Sequence, residues 1–305
     1  MKVTASAPAK INLQLSVGAL RADGYHDLVT IYQALELRDQ VSITERAEGM
    51  GIQCSITGEF ADGVPADETN LAVRAVKLVA EQVGTSCDLT IQISKHIPVA
   101  AGLAGGSADA AAALVAAAEL YGYGGDLQLL AAELGSDIGF SLLGGTALGT
   151  SRGEVVVPVM SRGEYCWVIM SSSNGLSTPR VYQKLDQLRD EGTVRAPMQL
   201  QPKPELLQAL LAASPTELAK HLSNDLQPAA LAIAPKLQQL LESAREDGAL
   251  AALVAGSGPT CVALAKDYDH ALDVAARITA SNLANRVLVA KAPAGGTELI
   301  SVERS

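Results

Sequence analysis

A short segment rich in glycine and alanine has the composition of a phosphate-binding loop. Residues Pro98–Ser107 (PVAAGLAGGS) follow a strand-like run and precede an Ala-rich helical pattern. Small residues let the backbone approach a ligand closely and take positive φ, and free amides at a helix start favour an anion. The alternative is a tight turn before a core helix, which the Ser107 hydroxyl would cap. The segment matches neither the Walker loop nor the Rossmann glycine spacing.

A lysine and an aspartate elsewhere in the chain could take part in phosphoryl transfer. Lys10 and Asn12, in APAKINL, alternate along a predicted strand and so share a face. Lys10 is either a solvated lysine or a cation for a substrate oxygen or phosphate. Asp137 lies between Gly135 and Gly139, and an apolar strand is predicted directly after this segment. The aspartate could cap a turn or accept the proton of an attacking hydroxyl.

Two further motifs are weak indicators when each is taken alone. GYHDL, residues Gly24–Leu28, presents Tyr25 and His26 after a polar loop, an arrangement that is more often loop packing than a site. VAGSGPT, residues 254–260, lies between two predicted strands. It is either a tight strand connection or a second set of backbone amides facing a ligand.

Length, charge and cysteine usage restrict the class of protein. The chain has 305 residues, 48% of them hydrophobic, a net charge of −10 and four scattered cysteines. The length suggests two domains. The acidic charge argues against nucleic acid or an anionic membrane as a partner, and the cysteines indicate free thiols. Because no apolar leader is visible and Ile97–Leu120 is too polar for a membrane span, we expect a cytoplasmic protein.

The motifs lie between predicted strands and helices. Strands are predicted at Lys2–Ser6, Ile11–Val17, Leu28–Leu37, Gln40–Glu45, Asp88–Ser94, Leu250–Val254, Thr260–Ala265 and Arg286–Lys291. Helices are predicted at Asn70–Val83, Ala108–Tyr121, Asp126–Leu134, Thr178–Arg189, Lys203–Ala213, Pro215–Leu222, Pro235–Glu246 and Tyr268–Ala280. This irregular alternation favours two α+β domains, each a sheet covered by helices. The polar segment Arg152–Arg162 divides them, giving domains of residues 1–157 and 158–305.

In this order, the motifs resemble those of the GHMP kinase superfamily. APAKINL, P-x-A-x-G-L-A-G-G-S-A-D and AGSGPT are similar to its first, second and third motifs. The resemblance implies an N-terminal ATP-binding domain like ribosomal protein S5 domain 2 and a ferredoxin-like C-terminal domain. It also implies transfer of the γ-phosphoryl group of ATP to an alcohol, with Mg²⁺. In the superfamily a Lys and an Asp act together, and the matching positions here are Lys10 and Asp137.

GYHDL and GSDIGF resemble one branch, which phosphorylates the C2 hydroxyl of a cytidine diphosphate derivative of methylerythritol in the non-mevalonate isoprenoid pathway. The implied substrate-binding residues are Asn12, Tyr25, His26, Asp137, Thr178 and Tyr182, the last two from the segment SSSNGLSTPRVY. The implied ATP-binding residues are Asn70, Leu71, Pro98, Val99, Ala100, Ala101, Gly102, Leu103, Ala104, Gly105, Gly106, Ser107 and Ala108. Tyr25 and Tyr182 would enclose cytosine, Leu71 would pack on adenine, and Ser107 is the candidate Mg²⁺ ligand.

The sequence departs from the superfamily pattern at a few positions. Ala100, Ala101 and Ala104 stand where glycines are usual, and their methyl groups would crowd a phosphate only where the backbone needs positive φ. Gly139 stands where a proline is common, which would loosen the turn that carries Asp137.

Three other functions stay open at this stage. A GHMP kinase for another alcohol, such as homoserine, mevalonate or a sugar, would need no cytosine clamp. A non-catalytic GHMP-fold sensor would not need both Lys10 and Asp137. A decarboxylase of the mevalonate branch would act on a carboxylate substrate. The oligomeric state is open between monomer and homodimer.

Overall fold

Within residues 1–171 and 175–304, which the computed structural model describes, strands form two sheets and helices pack against both. The strands are β1 (Lys2–Leu20), β2 (His26–Glu45), β3 (Gln53–Gly58), β4 (Leu89–Lys95), β5 (Thr146–Thr150), β6 (Val155–Pro158), β7 (Tyr165–Ser171), β8 (Ser223–Asn224), β9 (Ala251–Val254), β10 (Cys261–Ala265), β11 (Arg286–Ala292) and β12 (Glu298–Glu303). The helices are α1 (Leu71–Val83), α2 (Gly105–Tyr121), α3 (Leu127–Leu134), α4 (Ile138–Leu143), α5 (Thr178–Asp190), α6 (Pro204–Ala212), α7 (Pro215–His221), α8 (Gln227–Ile233), α9 (Lys236–Glu246) and α10 (Tyr268–Ser281). The predicted α+β class is confirmed.

The larger sheet is built around two long strands, β1 and β2. Its order is β12-β1-β2-β4-β3, with β5 paired to β2, β6 to β5 and β8 to β1. The sequence predicts two shorter strands in place of each long one, and this is wrong. The pairing of β1 with β2 continues through register shifts, one of them between Pro8 and Ala9. Proline lacks a backbone donor, and a local shift accommodates it without ending the strand.

Helix α2 is the central helix on this sheet, because its small side chains allow close packing. It contacts α1, β1 and β2. Most of its alanines, including Ala110 and Ala113, are fully buried, as are Val76 of α1 and Ile11 of β1. A helix with few polar residues is buried over most of its surface. This packing fixes the start of α2, and with it the glycine-rich segment, against β1.

The smaller sheet has the antiparallel order β11-β7-β10-β9. Helices α9 and α10 pack on it, and α5 and α8 pack on each other nearby. Val168 and Met170 of β7 join Val181 and Leu185 of α5 in one buried cluster. The last strand, β12, returns to the larger sheet and pairs with β1. The division at residues 157 and 158 stays a prediction, and none of the described helices has the length and apolarity to cross a bilayer.

Two elements next to the predicted site residues differ from the sequence prediction. The apolar run after Asp137 is the short helix α4, not a strand, and the strand β5 begins only after Gly144 and Gly145. A short apolar run does not distinguish a strand from a buried helix by periodicity. Helix α2 begins at Gly105 rather than Ala108, so Ser107 lies inside the first turn and does not cap it.

Candidate active site

A cavity of about 770 Å³ brings the separated motifs together. Strand β1, the turn before β2, the glycine-rich segment, the residues before α4 and the helix α5 all contribute to its wall. The predicted site residues that line it are Lys10, Asn12, Tyr25, His26, Ala100, Ala101, Gly102, Ala104, Gly105, Gly106, Asp137, Thr178 and Tyr182. Ser257 of the AGSGPT segment lines it as well.

The glycine-rich segment lines this cavity with residues in left-handed backbone. Ala100, Gly102 and Ala104 have φ of 52°, 76° and 58°, so two of the three alanines occupy left-handed backbone and Ala101 does not. Ala104 precedes α2 and provides no side-chain cap, so the first amides of the helix are free for an anion. A Cβ on Gly102 would overlap the carbonyl oxygen of Ala255. The second and third motifs therefore pack directly on each other.

A buried charged cluster lies beneath this segment. The Lys95 ammonium pairs with Asp39 and, at 2.7 Å, with Asp109. Asp39 also accepts a hydrogen bond from the Ile97 amide at 2.9 Å. Burial raises the pKa of Asp109 to about 7; Lys95 opposes this shift and the charge of Asp39 adds to it. A Cβ on Gly105 would lie 3.2 Å from the Lys95 nitrogen, so the cluster supports the start of α2 from below.

Lys10 and Asp137, which both line the cavity, form an ion pair. The Lys10 Nζ lies 3.4 Å from Oδ2 of Asp137 and donates to Oδ1 of Asn12 at 3.0 Å. Asn12 in turn donates to Thr30 at 2.7 Å. Lys10 is only 5% exposed, which excludes a solvated surface lysine. Its amide donates to the Leu103 carbonyl at 3.1 Å, which ties β1 to the glycine-rich segment.

Tyr32, which the sequence did not indicate, is the second partner of Asp137. Its hydroxyl donates to Oδ1 of Asp137 at 2.9 Å, and its ring stacks on Phe140 with centroids 4.8 Å apart. Burial, followed by the charge of Asp137, raises the pKa of Tyr32 well above its usual value. The phenol therefore stays protonated and is a permanent hydrogen-bond donor.

Aromatic and imidazole rings form another part of the cavity wall. The His26 and Tyr182 rings lie 5.1 Å apart, and Nε2 of His26 is 2.9 Å from Oδ1 of Asp186. Tyr25 is 55% exposed, with the Arg152 guanidinium 5.1 Å from its ring centroid. Asp186 and Arg152 were not predicted from the sequence. A charged residue on an amphipathic helix or in a polar turn resembles ordinary solvated surface.

Helix α5 is joined to the third motif next to this wall. The hydroxyls of Thr178 and Ser257 lie within hydrogen-bonding distance, at 2.9 Å. Residues 172–174 of the segment SSSNGLSTPRVY lie outside the described residues. Burial raises the pKa of Tyr182 above its usual value, so its phenol is neutral.

The remaining predicted ATP-binding residues are Asn70, Leu71, Pro98, Val99, Leu103, Ser107 and Ala108, and they do not line the cavity. Asn70 caps α1 by accepting from the Ala72 amide at 2.8 Å. Leu71 reaches within 3.8 Å of the position of a Cβ on Gly106. Leu103 and Ala108 are fully buried. Their part in ATP binding stays a prediction.

The described residues suit a metal that arrives with a nucleotide. Among them, no group of three or more His, Cys, Asp or Glu side chains could enclose a metal ion. Mg²⁺ in kinases keeps much of its coordination from substrate phosphates and water. The free amides before α2, which fit phosphates, are compatible with this mode. Ser107, half-buried in the first turn of α2, stays a predicted ligand.

Comparison with known proteins identifies the family of the chain. The family model described as GHMP kinases N terminal domain matches residues 70–145, and the model described as GHMP kinases C terminal matches residues 206–285. A homoserine kinase structure from Cytophaga hutchinsonii superposes with a TM-score of 0.73 at 18% identity, covering 98% of this chain and 97% of that one. That likeness shows a shared fold alone.

Closer relatives share one name. A 4-diphosphocytidyl-2-C-methyl-D-erythritol kinase of Mycolicibacterium smegmatis is 47% identical over 301 residues, covering 98% of this chain and 92% of that protein. Its Nocardia farcinica counterpart is 47% identical over 304 residues, covering 99% and 97%. A crystal structure of 4-(cytidine 5'-diphospho)-2C-methyl-D-erythritol kinase has 30% identity and a TM-score of 0.75, covering 97% and 100%. The chain therefore belongs to the GHMP kinases, in the 4-diphosphocytidyl-2-C-methyl-D-erythritol kinase family.

Proposed function

We propose that this protein transfers the γ-phosphoryl group of ATP to the C2 hydroxyl of 4-diphosphocytidyl-2-C-methyl-D-erythritol. One observation supports this most strongly. The Lys10–Asp137 pair, the glycine-rich segment and the wall of Tyr25, His26 and Tyr182 open into a single cavity. A kinase whose alcohol substrate carries no nucleobase would not need this aromatic wall. The relatives with 47% identity carry the name of this kinase.

In the proposed reaction, Asp137 accepts the proton of the C2 hydroxyl. The hydroxyl oxygen forms a bond to the γ-phosphorus while the bond from that phosphorus to the β–γ bridging oxygen breaks, and ADP leaves. Lys10, 3.4 Å from Asp137, keeps the carboxylate in place and faces the negative charge of the transferred group. A positioned base contributes about 10²–10⁴ in rate, and alignment and charge neutralisation supply much of the rest.

ATP would bind with its phosphates against the amides of the glycine-rich segment, between Ala100 and Gly106. The left-handed backbone at Ala100, Gly102 and Ala104 supports this, because such residues form concave turns whose amides bind anions. Mg²⁺ would be held through the nucleotide phosphates, with Ser107 as the candidate protein ligand, and would neutralise charge on the transferred group.

The cytidine end would lie against the aromatic wall. Tyr25 and Tyr182 offer faces for stacking, and His26 offers a ring nitrogen to the polar edge of cytosine. Asn12, beside Lys10, would contact the methylerythritol unit. We further propose a cytoplasmic enzyme whose partner is this small molecule, with neither nucleic acid nor membrane involved; size-exclusion chromatography would separate monomer from homodimer.

An ADP-release assay tests the proposal directly. The purified protein is incubated with ATP, Mg²⁺ and, in separate reactions, the cytidyl substrate, mevalonate, homoserine or galactose. Of the four alcohols, only the cytidyl substrate should be turned over, and phosphorus NMR should show a new phosphomonoester. Turnover with one of the other alcohols, and none with the cytidyl substrate, would refute the proposed substrate. Nucleotide binding without turnover of any alcohol would instead indicate a sensor.

A further inference from the structure

We propose that Tyr32 is a positioning residue of the phosphoryl transfer: its hydroxyl holds Oδ1 of Asp137, so that Oδ2, beside Lys10, receives the proton of the acceptor hydroxyl. This inference rests on the proposed function. It assigns a task to a side chain that lines the cavity but that the motifs did not indicate.

The two oxygens of Asp137 have different neighbours. Oδ1 accepts from the Tyr32 hydroxyl at 2.9 Å, and Oδ2 lies 3.4 Å from the Lys10 ammonium. A carboxylate held at one oxygen cannot rotate freely about its terminal bond, a torsion that is otherwise soft. Since Asp137 is 29% exposed, it would otherwise exchange between rotamers with solvent as partner. The hydrogen bond therefore selects Oδ2 as the basic atom.

Tyr32 is itself held rigidly, which a positioning group requires. It is 2% exposed and stacked on Phe140 with an interplanar angle of 28°. Two glycines make room for it: a Cβ on Gly149 would meet the ring and a Cβ on Gly153 would overlap the hydroxyl. Tyr32 also pairs with Ala147 of β5, so the hairpin of β5 and β6 encloses the phenol.

The neighbouring charges leave this arrangement intact. The titratable groups that act on the Tyr32–Asp137 pair are Lys10 on β1, Tyr182 on α5 and Glu154 before β6. Lys10 attracts the carboxylate, while Tyr182 is neutral. Negative charge from Asp137 and Glu154 opposes ionisation of Tyr32. The direction of the hydrogen bond, from phenol to carboxylate, is thus fixed.

Tyr32→Phe tests the proposal, because it keeps the ring, its stack on Phe140 and its place under Lys10. Tyr165→Phe is the matched control: Tyr165 is also fully buried and its hydroxyl donates to the Arg162 carbonyl at 3.2 Å, but it lies outside the cavity lining. Steady-state kinetics should show kcat of Tyr32→Phe lowered about 10- to 100-fold. KM for ATP and for the cytidyl substrate should stay within about twofold, and Tyr165→Phe should match the wild type.

Three results for kcat and KM would overturn the proposal. An unchanged kcat in Tyr32→Phe, a raised KM at unchanged kcat, or an equal loss in Tyr165→Phe would each show that the hydroxyl does not position the base. Thermal unfolding of both variants verifies that they are folded.

A spectroscopic measurement keeps this inference separate from the proposed function. The buried Tyr32 hydroxyl proton should give a slowly exchanging proton NMR resonance, absent in Tyr32→Phe and shifted in Asp137→Asn. If wild-type enzyme fails to turn over the cytidyl substrate, the proposed function fails, yet the resonance still reports the contact. A resonance unmoved by Asp137→Asn would overturn the placement of Tyr32 on Asp137.

Discussion

Removal of the Asp186 carboxylate should weaken cytidine binding and leave ATP binding unchanged. A carboxylate only accepts hydrogen bonds, so its contact with Nε2 at 2.9 Å requires a proton on that nitrogen of His26. In the neutral ring Nδ1 is then the acceptor, and it can receive a hydrogen bond from the exocyclic amino group of cytosine. Uracil has a carbonyl oxygen at that position. We therefore expect the protein to bind CDP more tightly than UDP.

The magnitude follows from the exposure of the pair. A hydrogen bond to a charged group contributes about 1.5–3 kcal/mol. Because Asp186 is 29% exposed, solvent screening reduces the expected effect to about 1 kcal/mol. Isothermal titration calorimetry of Asp186→Ala with CDP should then show about fivefold weaker binding, with a smaller preference over UDP. Affinity for a non-hydrolysable ATP analogue should not change.

A control on the same helix separates this effect from a general loss of charge. Asp190→Ala removes an exposed carboxylate at the end of α5, one turn further along, and CDP affinity should be unaffected. If Asp186→Ala binds CDP as tightly as the wild type, Asp186 does not orient His26 for cytosine. If both variants lose affinity equally, the cause is the charge of α5.

Three further predictions concern the base, the loop and the buried cluster. Asp137→Asn should lower kcat at least 10²-fold at unchanged affinity for an ATP analogue; a residual rate above about a tenth would exclude it as the principal base. Gly102→Ala should destabilise the protein by about 1–3 kcal/mol in urea unfolding, because φ is 76° and a Cβ would overlap the Ala255 carbonyl; unchanged stability would contradict the packing of the two loops. With its pKa raised from 3.8 to about 7, Asp109 binds its proton more tightly when folded, so its effect is to lower stability as pH rises through that window. The free energy of unfolding should therefore change less between about pH 5 and about pH 8 in Asp109→Asn than in the wild type. An identical pH dependence would refute this.

Local pattern identified the elements that are long and periodic. The predicted helices around α1, α2, α9 and α10 are confirmed within a few residues. Helical spacing of apolar residues identified α1, α9 and α10, whereas a run of alanines identified α2. The short helix α4 and the continuity of β1 and β2 were not predictable in this way. A helix of six residues carries too little periodicity, and a strand that continues past Pro8 depends on pairing with β2.

In the site, the motif residues could be predicted from the sequence, whereas the residues that support them could not. Lys10 and Asp137, which lie far apart in sequence, form a pair in the structure at 3.4 Å, and their roles stay predictions. Tyr32 lies between Ile31 and Gln33 on a predicted strand and is indistinguishable in sequence from a core tyrosine. Its hydrogen bond to Asp137 forms only in the fold, where two glycines of the β5–β6 hairpin leave space for its ring and hydroxyl. Lys95 and Asp109 likewise become a cluster only when β4 and α2 pack together.

The most direct test is a crystal structure with the cytidyl substrate and a non-hydrolysable ATP analogue bound together. We expect the C2 hydroxyl oxygen at about 3 Å from Oδ2 of Asp137, the cytosine ring against Tyr25 and Tyr182, and the phosphates on the amides between Ala100 and Gly106. A cytosine bound away from His26 and Tyr182, or a C2 hydroxyl out of reach of Asp137, would contradict the proposed reaction.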